Sequence, residues 1–198
     1  MQIKTIAVIG AGTIGRGIAY ASALGGYTTV LEEVSDSLLA KAIAWIRESL
    51  DEGVRHGKVE ADADACAAAL ARISTSHVVD EAIRDAELII EAVPEELEMK
   101  LELFTIFDKF AKPNAIFASN TSSLSIGDFS DIVLHRERCI GMRFFNPVLD
   151  RKLVEIIRTT HTSDETVAAC VEVAARMGKE TVVVNEATDL SKDPQNKM

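Results

Sequence analysis

Thr5-Ile6-Ala7-Val8-Ile9-Gly10-Ala11-Gly12-Thr13-Ile14-Gly15 decides the fold, because each part of it has a separate physical job. Ile6 to Ile9 are four apolar residues in succession without alternation, which reads as a strand buried on both faces. Gly10 permits a tight turn, Gly12 lets a backbone approach a pyrophosphate, and Gly15 lets a helix pack closely on the strand. The helix beginning near Thr13 aims its free amides, those of Thr13 and Ile14 first, at the phosphates. It runs through Ile18, Ala19, Ala21, Ser22 and Ala23 and stops at Gly25-Gly26. A second apolar run, Tyr27 to Leu31, ends in Glu32-Glu33. An acid about 20 residues beyond such glycines binds the adenine ribose hydroxyls and repels a 2′-phosphate. The unit is therefore strand, turn, helix, strand, and the cofactor it implies is NAD rather than NADP. Side chains alternate along a strand, so one of Glu32 and Glu33 is expected to face the ribose.

Outward from this unit the chain continues as α/β. Ser35 or Asp36 can cap a helix whose apolar positions are Leu39, Ile43, Ile46, Leu50 and Val54. Gly57 breaks it, and an alanine-rich helix follows through Ala65, Cys66, Ala69 and Leu70. These form a helical hairpin, about residues 35–72, inserted between the second and third strands. Its turn carries Arg55, His56 and Lys58. That cluster reads either as solvated turn charge or as a site for the phosphates of a bulky anionic ligand. Further strands are expected at Ile73–Ser76, Glu87–Val93, Ala115–Ala118, Arg138–Met142, Leu153–Ile157 and Thr181–Val184. Helices are expected from Glu95 or Glu96 through Phe110, and from Ser163 or Asp164 to Gly178. The loop Ser119-Asn120-Thr121-Ser122-Ser123 follows the fifth strand, and ligands of open parallel sheets bind beyond such carboxyl ends. Ser122 or Ser123 could equally cap a helix beginning at Leu124. The fold class is a Rossmann-type, mostly parallel sheet over residues 1–186, with a polar tail at 187–198.

Composition narrows the partners. With 198 residues and 47% apolar content the chain can bury a proper core. A net charge of −10 argues against a broad electrostatic grip on nucleic acid or an anionic membrane. Met1-Gln2-Ile3-Lys4 leads directly into the first strand, so no signal peptide or membrane span is expected. Cys66, Cys139 and Cys170 have neither metal nor redox spacing and fit buried thiols in a reducing cytosol.

Three further blocks carry a resemblance: Glu91-Ala92-Val93-Pro94-Glu95, Phe117-Ala118-Ser119-Asn120-Thr121-Ser122-Ser123-Leu124, and Phe144-Phe145-Asn146-Pro147 followed by Lys152-Leu153-Val154-Glu155. With the glycines they make the chain resemble the NAD-binding domain of the short-chain 3-hydroxyacyl-CoA dehydrogenases, 3-hydroxybutyryl-CoA dehydrogenases included. The likeness extends from Ile3 to about Glu186. It implies oxidation of a 3-hydroxyacyl-CoA to the ketone with hydride passing to NAD, or the reverse, in fatty-acid or butanoate metabolism. It further implies that Glu33 is the ribose acid, that Ser122 contacts the substrate oxygen, and that Glu155 orients the base. Asn146 belongs to the same site, Glu95 and Lys100 line the nicotinamide side, and Arg55 and Lys58 lie where the CoA nucleotide is received.

Two departures stand against the pattern. The family's basic histidine precedes Phe-Phe-Asn-Pro, and here that position is Arg143. A guanidinium stays protonated and cannot take a proton from an alcohol; a lost general base typically costs about 10²–10⁴-fold in rate. An ion pair with Glu155 across neighbouring strands is its expected structural role. The family also continues into a helical domain through a Pro-Gly-Phe motif, where this chain reads Thr188-Asp189-Leu190-Ser191-Lys192-Asp193-Pro194. Its C-terminal helical domain is expected to be missing here. The partners implied are an acyl-CoA, and a second copy or a separate C-terminal domain. The alternative reading is a catalytically deficient NAD(H)-binding module or partner subunit.

Overall fold

The computed structural model describes residues 2–55 and 63–186. Its strands are β1 (Thr5–Ile9), β2 (Thr28–Glu32), β3 (Ile73–Ser76), β4 (Leu88–Glu91), β5 (Ile116–Ser119), β6 (Cys139–Phe144), β7 (Leu153–Arg158) and β8 (Glu180–Asn185). They form one sheet in the order β3-β2-β1-β4-β5-β6-β7-β8. Pairing is parallel from β3 through β6, antiparallel between β6 and β7, and parallel again between β7 and β8. The single antiparallel step has a local cause. Residues 145–152 joining β6 to β7 are too few for the crossover that parallel strands require.

The helices are α1 (Thr13–Leu24), α2 (Asp36–Arg55), α3 (Ala63–Ala71), α4 (Val79–Ile83), α5 (Leu97–Phe110), α6 (Ile126–Ser130) and α7 (Asp164–Arg176). They cover both faces of the sheet, and alternation along β1 shows how. Ile6 and Val8 enter a core with Ile18, Leu31, Ile46 and Met142, while Ala7 and Ile9 enter another with Ile89, Phe104, Phe107 and Phe117. A strand buried on both sides needs no polar alternation, which accounts for its continuous apolar run. The chain steps outward from β1 to β2 and β3 and then returns to β4 on the other side of β1. That reversal opens a crevice at the carboxyl ends of β1 and β4.

The inserted hairpin forms as expected from its periodicity: Leu39, Ile46, Leu50, Cys66 and Ala69 are buried together. Ser35 caps α2, its Oγ accepting from the Leu38 amide at 3.4 Å. His56 and Lys58 lie outside the described residues. Some boundaries change, the fourth strand closing to Leu88–Glu91 and the helix after it beginning at Leu97. The fifth strand continues one residue further, into Ser119, which is fully buried. The helix after the serine loop begins at Ile126, not Leu124, and its cap is Ser125, whose Oγ accepts from the Asp128 amide. Thr121 is the reason, because its Oγ1 accepts from the Ser123 and Leu124 amides and holds those residues in a turn. The polar tail expected at 187–198 lies outside the described residues. Asn185 closes β8, and the Glu186 carboxylate accepts from the Ile126 and Gly127 amides. No helix among the described residues is long and apolar enough to cross a membrane.

Candidate active site

The glycine turn forms the floor of the crevice. Gly10 has φ of +98°, and its amide donates to the Glu32 carbonyl at 2.9 Å. A Cβ on Gly15 would stand 1.8 Å from the Gly10 carbonyl oxygen, so only glycine lets α1 lie this close to β1. A Cβ on Gly12 would meet nothing within 4 Å, because this residue faces the open crevice. Gly12 is also the N-cap of α1, and no side chain caps that end. The first-turn amides beside Thr13 and Ile14 are thus left for an anion, the arrangement a pyrophosphate needs.

Glu33 stands beside this turn. One carboxylate oxygen accepts from the Ala11 amide at 3.2 Å, and the other from the Ser35 amide at 3.1 Å. Strand alternation would send Glu32 and Glu33 to opposite faces, yet both border the cleft. Glu33 lies one residue beyond β2, where the pleat no longer governs direction. Glu32 points toward the core, 3% exposed.

From the glycine turn the cleft runs to Ser122, Arg143 and Asn146, enclosing about 810 Å³. Glu95 organises its middle. Its Oε1 accepts from the Thr121 hydroxyl at 2.5 Å and from the Ser122 and Ser123 amides at 2.8 and 3.0 Å. Partial burial raises the pKa of this carboxyl, but those hydrogen bonds and the Lys100 ammonium outweigh it and hold it at about 2. Ser122 is exposed at the cleft edge, with its backbone pinned by Glu95. Asn120 ties the loop to the neighbouring strand, since its Oδ1 accepts from the Phe144 amide at 2.7 Å.

Lys100 differs from expectation. It is fully buried and lies behind Glu95 rather than on the cleft wall. Its Nζ contacts both oxygens of the equally buried Glu91 at 2.9 Å and Glu95 at 3.2 Å. Ser119 Oγ completes the network by donating to Glu91 at 2.5 Å. Glu91 and Ser119 carried no site role in the sequence reading. Their signal was polarity at the last position of two strands that are otherwise apolar.

Arg143 and Glu155 face each other across β6 and β7 in register, with Arg143 Nη1 3.3 Å from Glu155 Oε2. The guanidinium also lies over the Phe145 ring, 5.0 Å from its centroid. Arg143 and Asn146 border the cleft; Arg55, at the exposed end of α2, does not. Among the described residues no histidine borders it. His77, for example, contacts the Glu33 carbonyl and the Asp36 carboxylate at the outer surface.

Comparison with known proteins gives the family. The model of the 3-hydroxyacyl-CoA dehydrogenase NAD binding domain matches residues 5–187. The human mitochondrial hydroxyacyl-coenzyme A dehydrogenase is 38% identical over 183 residues, covering 91% of this chain and 58% of that protein. A probable 3-hydroxybutyryl-CoA dehydrogenase of Bacillus subtilis is 37% identical over 187 residues, 94% of this chain and 64% of that protein. The crystal structure of (S)-3-hydroxybutyryl-CoA dehydrogenase from Ralstonia eutropha superposes with a TM-score of 0.88 at 37% identity, covering 94% of this chain and 65% of the other. The chain thus spans less than two thirds of the length of these relatives. It belongs to the 3-hydroxyacyl-CoA dehydrogenase family and carries that family's NAD-binding domain.

Proposed function

We propose that this chain is the NAD-holding part of a 3-hydroxyacyl-CoA dehydrogenase whose own proton acceptor is missing. Gly10, Gly12, Thr13, Ile14 and Gly15 hold the pyrophosphate, and Glu33 takes the adenine ribose hydroxyls. Glu95 and Ser122 flank the nicotinamide, with Lys100 acting through Glu95 as a positioning residue. NAD, when bound, accepts the hydride from the carbon bearing the 3-hydroxyl of the acyl-CoA. Ser122 donates a hydrogen bond to that substrate oxygen, and Asn146 completes the polar rim. Arg55 and Lys58 meet the CoA nucleotide. A homodimer or a separately supplied helical domain completes the acyl pocket, in a cytoplasmic setting.

The observation that carries this reading is the Arg143–Glu155 pair at the substrate end of a cleft whose other end suits a dinucleotide. Arg143 can donate to a carbonyl oxygen and stabilise charge there, but it cannot accept the hydroxyl proton. Glu155, paired with a cation, is left without a base to orient. The second reading, an NAD(H)-binding module without turnover, draws on the same pair.

The test is NADH oxidation driven by acetoacetyl-CoA, with the family's helical domain supplied in trans. Wild type stays near background, and Arg143→His raises the rate by about 10²–10⁴-fold. A variant that binds NADH yet gains no rate would reject the dehydrogenase reading and leave the binding module.

A further inference from the structure

At the β2 end of the cleft a buried carboxyl lacks a partner. Glu32 Oε1 is buried with no hydrogen bond, in a residue that borders the cleft. Such an oxygen is costly unless something satisfies it. The surrounding wall is apolar: Val79, Val93 and Leu103 line it, and Val34, Leu38 and Met99 border it with much of their surface exposed. This bay lies at the carboxyl end of β2, between Glu33 and the α4 and α5 side chains. Given the dinucleotide reading above, on which this inference rests, a ribose at Glu33 directs its base into the bay. A flat ring with one polar edge would cover the exposed apolar side chains and bring that edge to Glu32.

We propose that Glu32 selects the base of the dinucleotide, its buried oxygen accepting a hydrogen from the exocyclic amino group of adenine. A base with a carbonyl at that position would set two acceptors against each other. The discrimination depends on ionisation. Burial, reinforced by the Glu33 charge and opposed by His77 on the β3–α4 link, pushes the Glu32 carboxyl up to about 7. The carboxylate accepts only and rejects a carbonyl. The protonated form can donate to a carbonyl and tolerates either base.

Fluorescence titration of the full chain with NADH and with its deaminated analogue, reduced nicotinamide hypoxanthine dinucleotide, tests this at pH 6 and pH 8. At pH 8 wild type should prefer NADH by about tenfold or more, the loss set by an unmatched buried acceptor. The preference should shrink at pH 6. Glu32→Val should bind both dinucleotides alike at both pH values, and Glu32→Gln, whose amide can present either atom, should show little preference and no pH dependence. Saturable binding of both by wild type with equal affinity at pH 8 overturns the proposal and leaves NAD binding intact. Failure of either dinucleotide to saturate overturns the dinucleotide reading and this inference with it.

Discussion

Single carboxyls set most of what this cleft can do, and they differ in opposite directions. Glu95 is held at about 2, so it adds stability that is present above its unfolded pKa of 4.5 and lost as pH falls from there toward about 2. Glu95→Gln should therefore melt below wild type at neutral pH, and the gap should close on acidification through that window. Thermal unfolding across pH 2–7 reads this directly. Glu32 has the reverse sign. With a folded pKa of about 7 against 4.5, its burial penalty is absent in acid and complete above about pH 7. Glu32→Val should raise stability at pH 8 by roughly 1–3 kcal/mol, the cost of an unpaired buried polar group, and by less at pH 5. Urea midpoints at the two pH values check it. On the proposed reading Arg143 belongs to this scale as well, one side chain separating a cleft that holds a cofactor from one that can also move a proton.

The elements show why some of these residues were legible in sequence and others not. β1, α1 and β2 announce themselves through spacing, because Gly10 and Gly15 each answer a backbone constraint and Gly12 faces the open cleft. The in-register Arg143–Glu155 pair was also legible, since two adjacent strands and opposite charges suffice to expect it. Lys100 was not. A lysine on an amphipathic helix ordinarily faces water, and only the packing of α5 over β4 and β5 reveals that this one is buried against Glu91. The five residues of α4 are too short for any period to register. The serine block misled about its helix because the Ser122 and Ser123 hydroxyls go to Glu95 and Thr121 holds the Ser123 and Leu124 amides, which leaves the cap to Ser125. The buried network has a large expected effect. Lys100→Met removes the cation from the buried Glu91, leaving it only Ser119 and the Val93 amide, and should cost about 3–5 kcal/mol of stability in urea unfolding. A loss below about 1 kcal/mol would contradict a buried ion pair at this place.

Across the whole molecule, sheet order places the glycine turn, Glu33, Glu95, Ser122 and Arg143 on one edge although they are far apart in sequence. Family membership and the Rossmann-type sheet were both readable beforehand from short blocks, because those blocks fall at the carboxyl ends of the strands. What the blocks did not contain was depth: which polar residues line the cleft and which lie beneath it. The central claim is that this one edge holds NAD and discriminates against its 2′-phosphate form. Equilibrium titration of the chain with NADH and NADPH, followed by nicotinamide fluorescence, tests it most directly. Saturable NADH binding, with NADPH at least about tenfold weaker through repulsion at Glu33, is the predicted result. Equal affinity for the two, or no saturation by NADH, would contradict it.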